Sequence, residues 1–167
     1  MRTLTTYLNE KLVVNKNYNP YICAPKSFAE LRKIIEQRYK EQGPGTKQNP
    51  INFNDIDVSN INSFYNKDIN NGIFGSTKFK YIDISEWNVS KVEDMKAMFW
   101  DCWNLKSVGD LSNWDVSKVE NMYNMFYMCE KLKSVGDLSK WKVSKVENME
   151  RMFYDSGIKN KPRWYYE

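Results

Sequence analysis

The chain has 167 residues, 41% hydrophobic and 28% charged, which fits one soluble globular domain and excludes a disordered or membrane-embedded chain. It contains no histidine, which removes Ser-His-Asp and Cys-His catalysis, Cys/His zinc sites and the 2-His-1-carboxylate iron site. The net charge of +4 is uneven: residues 1–54 carry nine Lys/Arg against four Glu, while residues 55–167 are close to neutral.

Taken in chain order, residues 1–12 carry Arg2, Glu10 and Lys11 and no apolar h-region, so no signal peptide is read. No stretch approaches the ~18 apolar residues of a membrane span. Both points favour a cytoplasmic or virion-associated location over the cell surface, with no membrane insertion. Abundant Lys and Asn with only three Ala point to an AT-rich bacterial or phage genome. Leu4, Tyr7, Leu8 and Leu12 suggest a weak helix over Leu4 to Val13. Ser27-Phe28-Ala29-Glu30 is a capping box. Phe28, Leu31, Ile34, Ile35 and Tyr39 then form a helical stripe, and Gly43-Pro44-Gly45 ends the helix. Residues 1–54 are therefore expected to form a helical, basic N-terminal capping segment. Its charge suits either a solvated helix face or an anion-binding arm. Gly43 to Lys47 lacks the spacing of a phosphate-binding loop.

A 27-residue repeat follows. Asp83-Ile84-Ser85-Glu86-Trp87 recurs at 110–114 and 137–141, and Val89-Ser90-Lys91-Val92-Glu93 recurs at 116–120 and 143–147. Met95, Met98 and Phe99 recur as Met122, Met125 and Phe126, then as Met149, Met152 and Phe153. A degenerate first copy begins at Asp57 and carries an insertion around Lys67–Gly72. Each Ser-Lys-Val-Glu is again a capping box, with Ser90, Ser117 and Ser144 as N-caps. Val119, Met122, Met125 and Phe126 then form one apolar stripe on a short helix. Ser134 to Ser139 reads as a brief strand. Units of this kind bury their stripes only by stacking. The expected fold is thus an α/β solenoid over 55–159, about four coils, with strands on its concave face. Residues 160–167, with Trp164, Tyr165 and Tyr166, are expected to close its C-terminal end.

The pattern Asp-Leu-Ser-x-Trp-x-Val-Ser-x-Val-x-x-Met-x-x-Met-Phe-x-x-Cys-x-x-Leu resembles the BspA-like leucine-rich repeat of bacterial surface proteins and mycoplasma lipoproteins. The resemblance covers about residues 55–159. It implies a right-handed, leucine-rich-repeat-like solenoid and a role in binding or adhesion rather than catalysis.

Several repeated residues are candidate chemistry. Asp83, Asp110 and Asp137 are either turn chemistry or a carboxylate ladder. Cys102 and Cys129 sit at equivalent positions, as buried thiols or as a disulfide or reactive pair. Trp87, Trp114 and Trp141 are either returned to the core by a turn or form an exposed aromatic ladder. Residues that differ on this constant frame can encode a partner: Glu86, Asn113 and Lys140, then Asn88, Asp115 and Lys142. No catalytic, cofactor-binding or metal-binding set is read, and no cofactor is expected. The expected function is a non-enzymatic module that binds a protein, with a glycan as a lesser fit. The alternative is a nucleic-acid-associated or inhibitory factor acting through the basic N-terminal segment. Near-neutral charge over the repeats argues against nucleic acid.

Overall fold

The structure is a computed structural model that describes residues 23–166. The helix expected over Leu4 to Val13 lies outside those residues. Helix α1, Phe28–Gln42, starts where its capping box places it: Ser27 Oγ accepts from the Glu30 N–H at 3.2 Å. The Glu30 carboxylate accepts in return from Lys26 N at 2.8 Å. Gly43, at φ +71°, ends the helix by donating its N–H to the Tyr39 carbonyl at 2.8 Å. Leu31 and Ile35 are fully buried and fix α1 to the core.

Four two-residue strands follow: β1 (Ile51–Asn52), β2 (Tyr65–Asn66), β3 (Asn71–Gly72) and β4 (Ile82–Asp83). β1 pairs in parallel with β4, with Ile51 opposite Ile82. β2 and β3 form an antiparallel hairpin, with Tyr65 opposite Gly72. A single 3-10 turn spans Leu138–Lys140.

This corrects the expected fold. The described residues hold one α-helix and two small two-stranded sheets. They do not form a leucine-rich-repeat-like right-handed solenoid of strand-plus-helix units. There is no continuous sheet to make a concave strand face. The segment read as a strand at 134–139 contains Gly136 at φ +89° and runs into the 3-10 turn.

The physical reason is the use of the backbone amides. A helix requires each N–H to bond the carbonyl four residues earlier. Between residues 95 and 101 every second amide instead leaves the segment. Met95, Ala97, Phe99 and Asp101 donate to the carbonyls of Asn121, Tyr123, Met125 and Tyr127, each at 2.9 Å. The intervening amides close tight local turns, such as Met98 N to Met95 O and Trp100 N to Ala97 O. Ala97 and Asp101 take left-handed backbone conformations, and so do Asn124, Met128, Arg151 and Asp155 one and two copies on. No α-helix propagates through such residues. The same row continues from Met122, Asn124, Phe126 and Met128 to Asn148, Glu150, Met152 and Tyr154 at 2.7–3.1 Å.

The 27-residue spacing sets side chains in register along these rows. Phe74, Phe99, Phe126 and Phe153 lie face to face, with centroids 5.3–5.6 Å apart. Isolated parallel bridges join Ser63 to Asp94, Asp94 to Asn121 and Asn121 to Asn148. Val119, Met122, Met125, Phe126 and Leu132 are all fully buried. The apolar stripe read from the sequence is therefore the core, carried on turns.

Candidate interaction surface

The repeated tryptophans, aspartates and cysteines are occupied by the fold. Trp87, Trp114 and Trp141 are 3–4% exposed, so the turn returns them to the core. Each indole N–H donates to a backbone carbonyl about 30 positions back: Trp87 to Phe53, Trp114 to Ile84 and Trp141 to Leu111, at 2.8–3.3 Å. Trp164 repeats the bond to Leu138 at 2.8 Å and lies flat on Trp141, 6.3 Å between centroids. These indoles satisfy buried carbonyls and present no ladder to a ligand.

The aspartates make turns. Asp83 Oδ1 accepts from the Ser85 N–H and hydroxyl, and Asp110 Oδ1 from those of Ser112. Partial burial raises the Asp83 pKa, but the Ser85 and Asn54 hydrogen bonds outweigh it and hold the carboxyl below its usual range. The Ser112 hydroxyl and amide lower Asp110 in the same way, and the Ser139 amide and hydroxyl lower Asp137. Gly109 and Gly136 run directly over the Asp83 and Asp110 carboxylates, at φ +84° and +89°, where a Cβ would collide.

Both repeat cysteines are free, fully buried thiols. Cys102 donates to the Phe74 carbonyl at 3.0 Å and Cys129 to the Phe99 carbonyl at 3.1 Å. Burial pushes the Cys102 pKa up to about 11 and that of Cys129 well above its ordinary value. Neither is poised as a thiolate nucleophile.

The basic residues of α1 are partly occupied as well. Arg38, 4% exposed, pairs with Asp55 at 2.6 and 2.7 Å, donates to the Asn52 carbonyl and covers the Phe53 ring. Arg32 donates to the Ile73 carbonyl at 2.7 Å and bonds Glu36 at 2.9 Å. Lys33 and Lys40 are exposed.

What faces solvent is the set that differs between copies. Glu86, Asn113 and Lys140 are exposed, and so are Asn88, Asp115 and Lys142. Asn88 and Asp115 also accept from the Ser90 and Ser117 amides, so these positions carry turn chemistry too. The Ser117 hydroxyl and amide hold the Asp115 carboxyl low, helped by Lys142 and Lys118 nearby.

Sequence reading missed a second row, of partly exposed lysine and aromatic side chains. Lys96 Nζ lies 4.4 Å from the Tyr65 ring centroid and 5.7 Å from that of Tyr123. Lys131 covers Trp103, itself 49% exposed, at 4.9 Å. Tyr127 and Tyr154 stack at 5.4 Å. The signal was available: Trp100, Tyr127 and Tyr154 recur as aromatics at the 27-residue step, and Lys96 and Tyr123 occupy equivalent positions one copy apart.

Among the described residues no helix is long and apolar enough to cross a membrane. No three His, Cys, Asp or Glu side chains among them gather as a metal site. No curated protein and no solved structure matches the chain. A family model described as "Mycoplasma protein of unknown function, DUF285" matches residues 67–163. That span begins in the β2–β3 hairpin insertion and takes in all three full copies of the repeat, so the chain belongs to this mycoplasma family of unknown function.

Proposed function

We propose that the protein is a non-enzymatic module that binds a protein partner through the exposed side chains of 86, 113 and 140 and of 88, 115 and 142. The observation that carries this reading is a division of labour. The repeated tryptophans, cysteines and phenylalanines are consumed by the fold, whereas these positions vary and face water. The row changes from Glu86 and Asn88 through Asn113 and Asp115 to Lys140 and Lys142, so it is acidic or neutral at one end and basic at the other. Such a gradient orients a partner of complementary charge and raises its association rate. The resemblance to BspA-like surface proteins supports an adhesion or host-interaction role.

The test compares proteins captured from host extract by the immobilised full chain and by Lys140→Glu/Lys142→Glu. A charge reversal elsewhere, Lys67→Glu, serves as control. Loss of a captured protein with the double variant only supports the reading, provided circular dichroism shows intact folding. An identical captured set for all three proteins overturns it.

A further inference from the structure

The near-neutral average charge of the repeats hides a segregation. Lys80, Lys106 and Lys133 stand one per copy, in the segment that leads into each aspartate turn. Adjacent copies meet there through their backbones. The Lys106 N–H donates to the Lys80 carbonyl at 2.7 Å, and Tyr81 bridges Ser107 in parallel. One copy on, the Lys131 ammonium reaches Asn104, its counterpart 27 residues earlier, at 2.7 Å. Backbones paired in this way lie ~4.8 Å apart, so the three lysines form a row along the stack.

More cations widen and lengthen the row. Residues 78–81, 103–109, 130–136 and 157–163 together carry eight Lys/Arg and one acid, Glu130. Lys78, Lys80, Lys106, Lys131, Lys133 and Lys159 are all exposed. Among the described residues no carboxylate forms an ion pair with any of them. Asp83, Asp110 and Asp137 follow at the end of each segment, where the turn serines hold them. Like charges in register repel one another, and a bound polyanion turns that repulsion into attraction.

Aromatic rings are interleaved with these cations. Lys106 Nζ lies 5.6 Å from the Tyr81 ring centroid, and Lys131 Nζ 4.9 Å from that of Trp103, which is 49% exposed. At the end of the row Lys133, Arg163 and Trp164 line one groove of about 520 Å³ above the buried side chains of Leu138 and Ile158.

We propose that this stripe binds single-stranded nucleic acid, with the lysines on its phosphates and Trp103 as a platform on which a base stacks. The rings select the occupant. Paired bases have no free face to offer them, which disfavours a duplex. A polyanionic sugar would engage the lysines and have no use for the rings. The stripe shares no residue with the row at 86, 88, 113, 115, 140 and 142, so it goes beyond the proposed function and does not rest on it.

Fluorescence anisotropy of the full chain with a labelled oligodeoxythymidylate of about 16 nucleotides tests it. Four lysine–phosphate contacts should make the logarithm of the association constant fall with that of salt at a slope of about −3. Lys106→Gln/Lys133→Gln should make the slope shallower by about 1.4, the share of two contacts. Trp103→Ala should weaken binding by about tenfold and leave the slope unchanged. All three side chains are exposed, and circular dichroism checks that each variant is folded. Absence of binding at low salt overturns the proposal. Binding that survives the double lysine variant and is lost in Lys33→Gln/Lys40→Gln overturns it in favour of α1. A duplex of the same strand bound as tightly as the single strand overturns it too. So does heparin, an anionic polysaccharide, if it binds more tightly than the oligonucleotide and equally well to Trp103→Ala.

Discussion

The tetrapeptide pattern Ser-x-x-Glu occurs at 27–30 and again at 90–93, 117–120 and 144–147. At 27 it starts a helix of 15 residues. In the copies it starts none. The Glu120 and Glu147 amides bond the carbonyls of Glu93 and Glu120 one copy earlier, and the Ser90 and Ser117 amides bond the side chains of Asn88 and Asp115. Among the described residues no other segment offers the amides of α1 a row of acceptors, whereas each copy lies against another that does. A capping signal states a local preference of about 1 kcal/mol. A row of hydrogen bonds with a buried aromatic file beneath it outweighs that preference.

If neighbours rather than local motifs hold the copies, the largest loss should come from the file of rings. Phe126→Ala, between Phe99 and Phe153, should cost about 3–5 kcal/mol in urea unfolding. A loss below about 1 kcal/mol, at the usual level of a cap, would break the comparison.

High pH separates the two regions next. Cys102 has its folded pKa raised from 9.0 to about 11 by burial. The unfolded chain therefore loses this proton first. Stability is retained below pH 9 and falls as pH rises toward about 11, by about 2–3 kcal/mol for this one group. Replacing Cys102 with Ala should remove its share of that dependence and leave the share of Cys129, whose thiol burial raises in the same way.

Two glycines at positive φ sharpen the contrast. Gly43→Ala at the end of α1 meets open space and should cost only the left-handed penalty of about 1–2 kcal/mol. Gly136→Ala carries the same penalty and also drives a methyl into the Asp110 carboxylate and the Ser112 hydroxyl, so it should cost more. Equal losses would mean that the aspartate turns yield freely.

The smallest expected effect bears on the motif itself. Ser27→Ala should cost about 1 kcal/mol, whereas Ser117→Ala should stay within about 0.5 kcal/mol. A larger loss at Ser117 would restore it as a helix cap.

Much of the molecule was legible at the level of spacing. α1 follows from Ser27, from its stripe through Leu31 and Ile35, and from Gly43. The 27-residue step gives the positions that meet in space, such as Phe99 with Phe126 and Asp94 with Asn121. What failed was the conformation between those points. Val119, Met122, Met125 and Phe126 fall on one face of a helix, but consecutive tight turns through left-handed Asn124 and Met128 bury the same four. Hydrophobic period does not distinguish the two when the competing hydrogen-bond partner lies 27 residues away. The tryptophans were ambiguous because their direction depends on one turn after Ser85, Ser112 or Ser139. The Lys96 and Lys131 contacts stayed hidden because they join residues of different copies.

The hairpin β2–β3 bears on how such chains vary in length. Phe64 and Phe74 donate to Asp94 and Met98; the donors are ten positions apart and the acceptors only four. The surplus leaves the row as the hairpin, with Ile69 58% exposed at its tip, and the row resumes in phase at Phe74. Register is thus set by which amide meets which carbonyl, not by a count of residues along the chain. A foreign loop grafted between Asn66 and Asn71 would be carried on the same frame, making this corner a natural mount for an epitope or a reporter tag.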